Sequence, residues 1–317
     1  MKPRFMLTFK SKATEIGESS QPTISRCLFV LVSQTLATLF VTTLLCYAVY
    51  SSTQNPQSSA VERIRTGNQL VRNQRWSEAI TEYRAAIELD PTAADAYGNM
   101  GHAYSQLGRL NEAMIALQKA ISLQTDNAVF RYNLGDVYLK LQRTAESIEQ
   151  LEQAIKLRPG YFEAHIDLGN AFADLELYAE ATAALKRAVT LNPRSALAHH
   201  NLGVVYSEVG RFKEAAESLR VALSLDPTPA AAYSDLGVIY LKSAQYKLAV
   251  AVLEKAVALA PADARTQYHL GIAYLSVRYP DKFWQQHAVL KTLAPVLAER
   301  LLDASNQDRL LVLSRKD

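Results

Sequence analysis

Histidine and cysteine are the residue types in this sequence that most often bind metals or act as nucleophiles. The six histidines are His102, His165, His199, His200, His269 and His287. His199 and His200 are adjacent, so their rings would diverge on a helix and could not share a metal. Cys27 and Cys46 form no CxxC pair, and the sequence contains no HExxH, GxSxG or glycine-rich phosphate loop. The sequence therefore predicts no catalytic residue, no metal site, no cofactor and no enzymatic activity for this chain alone.

Composition and charge narrow the class of protein further. The chain has 317 residues, of which 49% are hydrophobic, enough for a large core or two domains. Its net charge of +3 comes from residues 1–26, because the rest of the chain contains equal numbers of basic and acidic groups. A nucleic-acid-binding protein usually has a basic face, so nucleic acid is not an expected partner.

The segment 27–50 is predicted to cross a membrane. It contains 24 residues without a charge, and as a helix it would extend about 36 Å, enough for a hydrocarbon core of about 30 Å. The basic segment 1–26 should stay in the cytoplasm, which makes 27–50 a signal-anchor and places the rest on the outer, periplasmic side. The alternative is secretion after signal cleavage, which the length of the apolar segment and the bulky Tyr50 disfavour.

After a polar linker at 51–59, the rest of the chain is organised by a repeat of 34 residues. Seven glycines follow one another at this spacing: Gly67, Gly101, Gly135, Gly169, Gly203, Gly237 and Gly271. The units begin at residues 60, 94, 128, 162, 196, 230 and 264, and the last ends at 297. Apolar residues within each unit follow helical spacing twice, which predicts two amphipathic helices and an all-α fold.

The repeated glycines need a structural reason, because glycine inside a helix costs about 1 kcal/mol relative to alanine. We expect close approach of the second helix of each unit, which offers small residues at Ala79, Ala113, Ser147, Ala181, Ala215 and Ala249. The seventh unit, together with Val296–Leu302, is expected to cap the open end of the stack. Residues 298–317 are assigned to this cap and a tail, which is expected to be frayed over Ser305–Asp317.

Two of the histidines belong to the repeat pattern. His165 and His199 stand at the same place in successive units, where Tyr97 and Tyr233 stand in two others. We therefore expect them to pack within the repeats rather than to bind a metal.

The stretch NLGVVYSEVGRFKEAAESLRVALSLDP, Asn201 to Pro227, resembles the tetratricopeptide repeat in its spacing of small, aromatic and proline residues. The resemblance covers residues 60–297 and implies a right-handed superhelical α-solenoid of about seven helix-turn-helix repeats. Gln74 and Gln142 depart from it, since they replace the glycine between the helices that is present at Gly108 and Gly210. The family likeness also implies that the first helix of each repeat lines a concave groove.

Asparagine recurs at the sixth place of the repeats, where the groove would be. Asn99, Asn133 and Asn201 resemble the asparagine ladder in the repeat domain of the O-linked N-acetylglucosamine transferase. There, side-chain amides bind the backbone of an extended peptide, which an amide can do because it both donates and accepts. The alternative is that duplication copied an ancestral asparagine. Asp167 and Asp235 interrupt the series and suggest selection by charge instead.

Acidic residues are concentrated in the middle of the predicted groove. Repeat 4 contributes most of them, and the neighbouring repeats contribute Asp136 and Glu208. A basic peptide segment would be favoured there by electrostatic steering and charge pairing. The alternative is ordinary solvated surface, with Glu163 complementing its helix N-terminus. The candidate partner-binding residues are Asn99, Asn133, Asp136, Glu163, Asp167, Asn170, Asp174, Asn201, Glu208 and Asp235.

Together these features predict a membrane-anchored scaffold that binds extended, basic peptide segments of protein partners in its groove. The alternative is a stand-alone, substrate-recruiting repeat subunit that works with a separate glycosyltransferase or other catalytic chain. A repeat array on a signal-anchor, with this kind of capping end, is typical of bacterial proteins.

Overall fold

The computed structural model describes residues 42–43 and 56–314, and within 56–314 the chain forms fifteen α-helices. They are α1 (Pro56–Arg72), α2 (Trp76–Leu89), α3 (Ala94–Gln106), α4 (Leu110–Leu123), α5 (Ala128–Lys140), α6 (Thr144–Leu157), α7 (Phe162–Asp174), α8 (Tyr178–Leu191), α9 (Ala196–Glu208), α10 (Phe212–Leu225), α11 (Ala230–Lys242), α12 (Tyr246–Leu259), α13 (Ala264–Ser276), α14 (Pro280–Leu293) and α15 (Pro295–Ser314). The expected all-α fold is confirmed for this part of the chain.

The helices are arranged as seven pairs, in which odd-numbered helices up to α13 are the first helices of repeats 1–7. From α4 to α12, each second helix packs against both its own first helix and the first helix of the next repeat. At the two ends, α2 packs against α3, and α14 packs against α13 and α15. From α3 onward, first helices of consecutive repeats also contact each other, whereas consecutive second helices among those described do not. The first helices therefore form the tighter layer, which is the inner, concave side of the stack.

The glycine repeat reflects close packing between the two helices of each pair. A Cβ atom at Gly203 would lie 2.8 Å from Cγ of Leu219 and 3.2 Å from the carbonyl oxygen of Ala215. The expectation of a closely approaching second helix is thus confirmed. A leucine of the second helix fills most of the space, and the small residue contributes its backbone carbonyl.

The turn between the two helices contains a left-handed residue in every repeat. These residues have φ between 57° and 74° and recur every 34 positions: Gln74, Gly108, Gln142, Glu176, Gly210, Ala244 and Arg278. Five of the seven have a side chain, although the left-handed region is unfavourable for them by about 1–2 kcal/mol. The sequence pattern alone identifies only Gln74 and Gln142 as turn residues that replace glycine. The packing of the two helices therefore imposes the turn even where glycine is missing.

The C-terminal helix α15 closes the stack and is longer than the sequence suggested. Leu301 of α15 covers Gly271, the role that a leucine of the second helix has in the preceding five repeats, because His287 stands there in repeat 7. The expected frayed tail from Ser305 is wrong as far as residue 314, since the helix continues to Ser314. Ser305 is buried and lies one turn after Leu301, so the face that packs on the stack continues past the predicted cap.

Buried apolar side chains are distributed differently in the two ends of the array. One continuous cluster of buried residues runs from Ala181 in repeat 4 to Leu301 in α15. The two next largest clusters are separate from it and extend from Ala79 to Tyr138 and from Leu151 to Ala184. The apolar core is therefore continuous toward the C-terminus and interrupted toward the N-terminus.

The predicted membrane segment 27–50 lies outside the described residues, apart from Thr42 and Thr43, which are helical. Among the helices that the structure does describe, none combines the length and the apolar character needed to cross a bilayer.

Candidate functional site

The ten candidate residues all belong to first helices, on one helical face. This inward face consists of the second, sixth, ninth and thirteenth residue of each first helix, counted from residues 60, 94, 128, 162, 196, 230 and 264. These places are three or four residues apart and so share one side of a helix. The candidates at the sixth and ninth places are half-buried, whereas Glu163, Asp174 and Glu208, at the second and thirteenth places, are exposed.

Two of the three ladder asparagines are hydrogen-bonded to the neighbouring repeat. The side-chain amide of Asn99 donates to Oδ1 of Asn68 at 3.0 Å, and that of Asn201 donates to Oδ1 of Asn170 at 2.9 Å. Each bond joins the sixth place of one repeat to the ninth place of the repeat before it. Asn133 has His102 at the corresponding ninth place and makes no such bond. Asn99 and Asn201 therefore help to fix the register of neighbouring repeats. Of the three ladder asparagines, Asn133 is the one whose side-chain amide is best placed to bind a ligand.

Asp136 has a basic partner that sequence reasoning missed. Its Oδ2 accepts a hydrogen bond from Nζ of Lys140 at 2.7 Å, and the same ammonium group donates to Oγ of Ser105 at 3.0 Å. Lys140 is four residues after Asp136, so the spacing alone could have revealed the pair. The ammonium group offsets the charge of Asp136, and the uncompensated acidic region begins at repeat 4.

Asp167 is a half-buried carboxyl group at the centre of the inward face. Burial raises its pKa to about 6, and the charges of Asp136 and Glu163 act in the same direction. A hydrogen bond from the Tyr132 hydroxyl and the charge of Lys140 lower this pKa and partly offset that effect. At neutral pH the carboxylate is mostly ionised, but in a setting that favours the protonated form. A cation placed beside the ionised carboxylate would offset the free-energy cost of burying its charge.

The rest of the acidic region consists of exposed carboxylates without basic neighbours on their helices. Neither α7 nor α9 contains a lysine or arginine. Glu163, Asp174 and Glu208 make no ion pair with any residue that the structure describes. The inward face of repeats 4 and 5 is thus negative and open to a positively charged partner.

Asp235 is paired with a histidine from the preceding repeat. Its Oδ2 lies 2.9 Å from Nε2 of His200, and Nδ1 of the same ring lies 3.3 Å from Oδ1 of Asn201. The hydrogen bond to Asp235 raises the pKa of His200, which burial of the ring opposes. This bridge between α9 and α11 could not be read from sequence, because the two side chains are 35 positions apart.

The other repeat histidines have the structural role that was expected. Nε2 of His165 lies 3.1 Å from the carbonyl oxygen of Pro159, and Nε2 of His199 lies 3.1 Å from that of Pro193. Gln267, at the same place in repeat 7, donates to the carbonyl of Pro261. In the described part of the chain, no group of three or more histidine, cysteine or acidic side chains is arranged to hold a metal ion.

The repeat architecture agrees with a known protein family. The family model of the cilia and flagella-associated protein 70 C-terminal domain, a tetratricopeptide-repeat domain, matches residues 82–294, about two thirds of the chain. The chain belongs to this tetratricopeptide-repeat family. No curated protein matches the chain.

Solved structures of other tetratricopeptide-repeat proteins share the fold. YrrB, described as having an unusual peptide-binding site, is 27% identical, with a TM-score of 0.51 over 58% of this chain and 94% of that one. PilF of Pseudomonas aeruginosa is 20% identical, with a TM-score of 0.59 over 67% of this chain and 97% of that one. A tetratricopeptide-repeat protein of Parabacteroides merdae is 19% identical, with a TM-score of 0.57 over 78% of this chain and 98% of that one. The last two similarities concern the fold alone.

Proposed function

We propose that this tetratricopeptide-repeat chain is a membrane-anchored, non-enzymatic scaffold that binds extended, basic segments of protein partners on its inward face. The observation that carries the proposal is the acidic inward face of repeats 4 and 5, whose helices α7 and α9 contain no lysine or arginine. The peptide-binding site named for YrrB supports a peptide as the class of ligand.

Recognition would combine charge pairing with contacts to the peptide backbone. An arginine or lysine of the partner beside Asp167 would be near Glu163 as well, since the two carboxylates are one helical turn apart. The free amide of Asn133 can donate to a backbone carbonyl and accept from a backbone N–H. Charge therefore selects the segment, and the amide holds its main chain.

The anchor is the part of the proposal that concerns residues 27–50. Their uncharged sequence, preceded by a basic segment, supports a single membrane crossing with the N-terminus in the cytoplasm. Protease added to sealed inner-membrane vesicles of inverted orientation should leave the repeats intact and should digest them in spheroplasts. The opposite pattern would refute this orientation, and recovery of the repeats free of membrane would indicate cleavage.

Binding is tested with short synthetic peptides that contain either arginine or glutamate in a glycine-serine background. The full chain should bind the arginine peptides, more weakly as salt is raised, and Asp167→Asn should weaken this binding. Glu152→Gln is a matched control, because it removes one acidic charge from an exposed position on the second helix α6. If both variants lost the same affinity for the arginine peptides, the effect would come from net charge and not from the position of Asp167.

The same peptides separate this proposal from the substrate-recruiting alternative. A sequence-independent asparagine ladder would bind arginine and glutamate peptides alike, since amides read only the backbone. The interruption of the ladder by Asp167 and Asp235, and the bonds of Asn99 and Asn201 to neighbouring repeats, favour selection by charge.

A further inference from the structure

A cavity of about 330 Å³ opens between repeats 5 and 6, next to the acidic region. Its wall is mostly apolar, with His200 and Asp226 as the polar members: Ala196, Leu197, His200, Ala222, Asp226, Pro229, Ala231 and Ala232. Leu197 and Ala231 occupy the second places of their repeats, so the cavity opens onto the inward face. Its volume suits one large side chain and lies near the lower limit for a small-molecule site.

Two departures from the repeat pattern lie in the lining of the cavity. In four of the other loops that join one repeat to the next, the residue just before the next first helix donates its backbone N–H to the carbonyl three residues earlier. The loop before α9 is an example, where Ser195 donates to Asn192 at 3.1 Å. Pro229 stands at this place after repeat 5 and has no N–H to donate, so the loop cannot close in the same way. Ala231 is also the smallest side chain found at the second place of any repeat.

The polar groups of the cavity are already engaged. Both ring nitrogens of His200 face acceptors, at 2.9 Å in Asp235 and 3.3 Å in Asn201. Oδ1 of Asp226 accepts hydrogen bonds from the backbone N–H and the hydroxyl of Thr228, at 2.9 Å and 2.6 Å. An occupant is therefore stabilised by apolar contact, and the side chain of Leu197, 57% exposed, contributes to that contact.

We propose that this cavity seats an aliphatic or aromatic side chain of the same basic segment that the acidic face of repeat 4 holds, an inference that rests on the proposed function. Neighbouring helices lie about 8–10 Å apart, so the distance from Asp167 on α7 to the space between α9 and α11 is about 14 Å. An extended chain covers this distance in about four residues. The recognised segment thus has a basic residue and a large apolar residue about four positions apart.

The test uses the full chain and ten-residue peptides in a glycine-serine background, with binding measured by fluorescence anisotropy. One peptide has arginine and leucine four residues apart, a second has arginine alone, a third has leucine alone, and a fourth has the two residues eight apart. The first should bind about tenfold to hundredfold more tightly than the second, as expected for burial of one leucine side chain. The fourth should bind no better than the second.

Ala231→Leu fills the cavity with a side chain from an exposed position, so the fold should be retained. This variant should lose the gain from the peptide leucine and should bind the arginine-only peptide as before. Ala145→Leu makes the same change at an exposed position on α6 and should alter neither affinity.

The remaining outcomes separate the two proposals. If Ala231→Leu keeps the full gain, the cavity assignment is overturned and the charge-based function stands. If leucine alone binds as tightly as the two-residue peptide, the cavity stands and the role of the acidic face falls. If no peptide binds, both fall. Self-association of the free chain that Ala231→Leu abolishes would assign the cavity to a second copy and overturn the peptide inference.

Discussion

The two ends of the repeat array use different residues at the same structural places. At the ninth place, repeats 1–4 have Asn68, His102, Asp136 and Asn170, whereas repeats 5–7 have Val204, Val238 and Ile272. The polar end connects consecutive first helices by side-chain hydrogen bonds, such as that of Asn99 to Asn68. The apolar end has the continuous buried cluster that runs from Ala181 to Leu301.

The same repeat framework is thus stabilised in two ways. Apolar contact between repeats contributes stability without directional requirements. Polar contact fixes register but contributes only about 1 kcal/mol for each net hydrogen bond. Repeat 4, where Asp167 lies, is where the two kinds of packing meet. The proposed partner-binding face is thus built on the part of the array that polar side chains position.

The largest expected effect comes from removing a fully buried leucine at each end. Leu301→Ala and Leu117→Ala should each lower the free energy of unfolding by about 3 kcal/mol, because both side chains are completely buried. In hydrogen exchange, Leu301→Ala should reduce protection over α8–α15, since one cluster of buried side chains connects them. Leu117→Ala should affect mainly α2–α5, which its own cluster connects. Equally wide loss in both variants would break the distinction between the two ends.

A smaller effect of opposite sign is expected at Asp167. Its pKa of about 6 lies above the ordinary value of 3.8, so between these pH values the native state holds a proton that the unfolded chain has released. The stability from this group is present below pH 3.8 and is lost as pH rises through 6. Asp167→Asn should therefore raise the free energy of unfolding by about 2 kcal/mol at pH 7.5 and change it little at pH 3.5.

Urea unfolding of the unsubstituted chain and of Asp167→Asn, each at pH 3.5 and pH 7.5, measures this difference in the free energy of unfolding. Asp174→Asn, at an exposed position of the same helix, should change stability by less than about 0.5 kcal/mol. A loss of stability in Asp167→Asn at neutral pH would contradict the view that this carboxylate is retained at a cost to folding.

The smallest effect separates structural from ligand-binding asparagines. Asn201→Ala should destabilise the protein by about 1 kcal/mol, because it removes the bond to Asn170. Asn133→Ala, which breaks no such bond, should leave the midpoint of urea unfolding nearly unchanged and weaken peptide binding instead. If the two substitutions had the same effect on stability, the distinction drawn within the ladder would not hold.

The repeat period made most of the architecture predictable, because every unit obeys the same local rules. It placed all ten candidate residues on first helices, and its glycines correctly indicated close helix packing. It could not indicate pairs such as His200 and Asp235, whose contact depends on how two repeats stack. The cavity was hidden for a similar reason: Pro229 is visible in the sequence, but the hydrogen bond that it prevents is known only from the other junctions.

The helix α15 also gives the proposed binding face a defined C-terminal end. Leu301 of α15 covers Gly271, so the end of repeat 7 is covered by the chain itself. Seven first helices about 8–10 Å apart give a track of about 55 Å, the length of about 16 extended residues. Under the proposed function, a segment that extends beyond this length toward the C-terminus would leave the track at α15, so the stack would limit how much of a partner segment it covers.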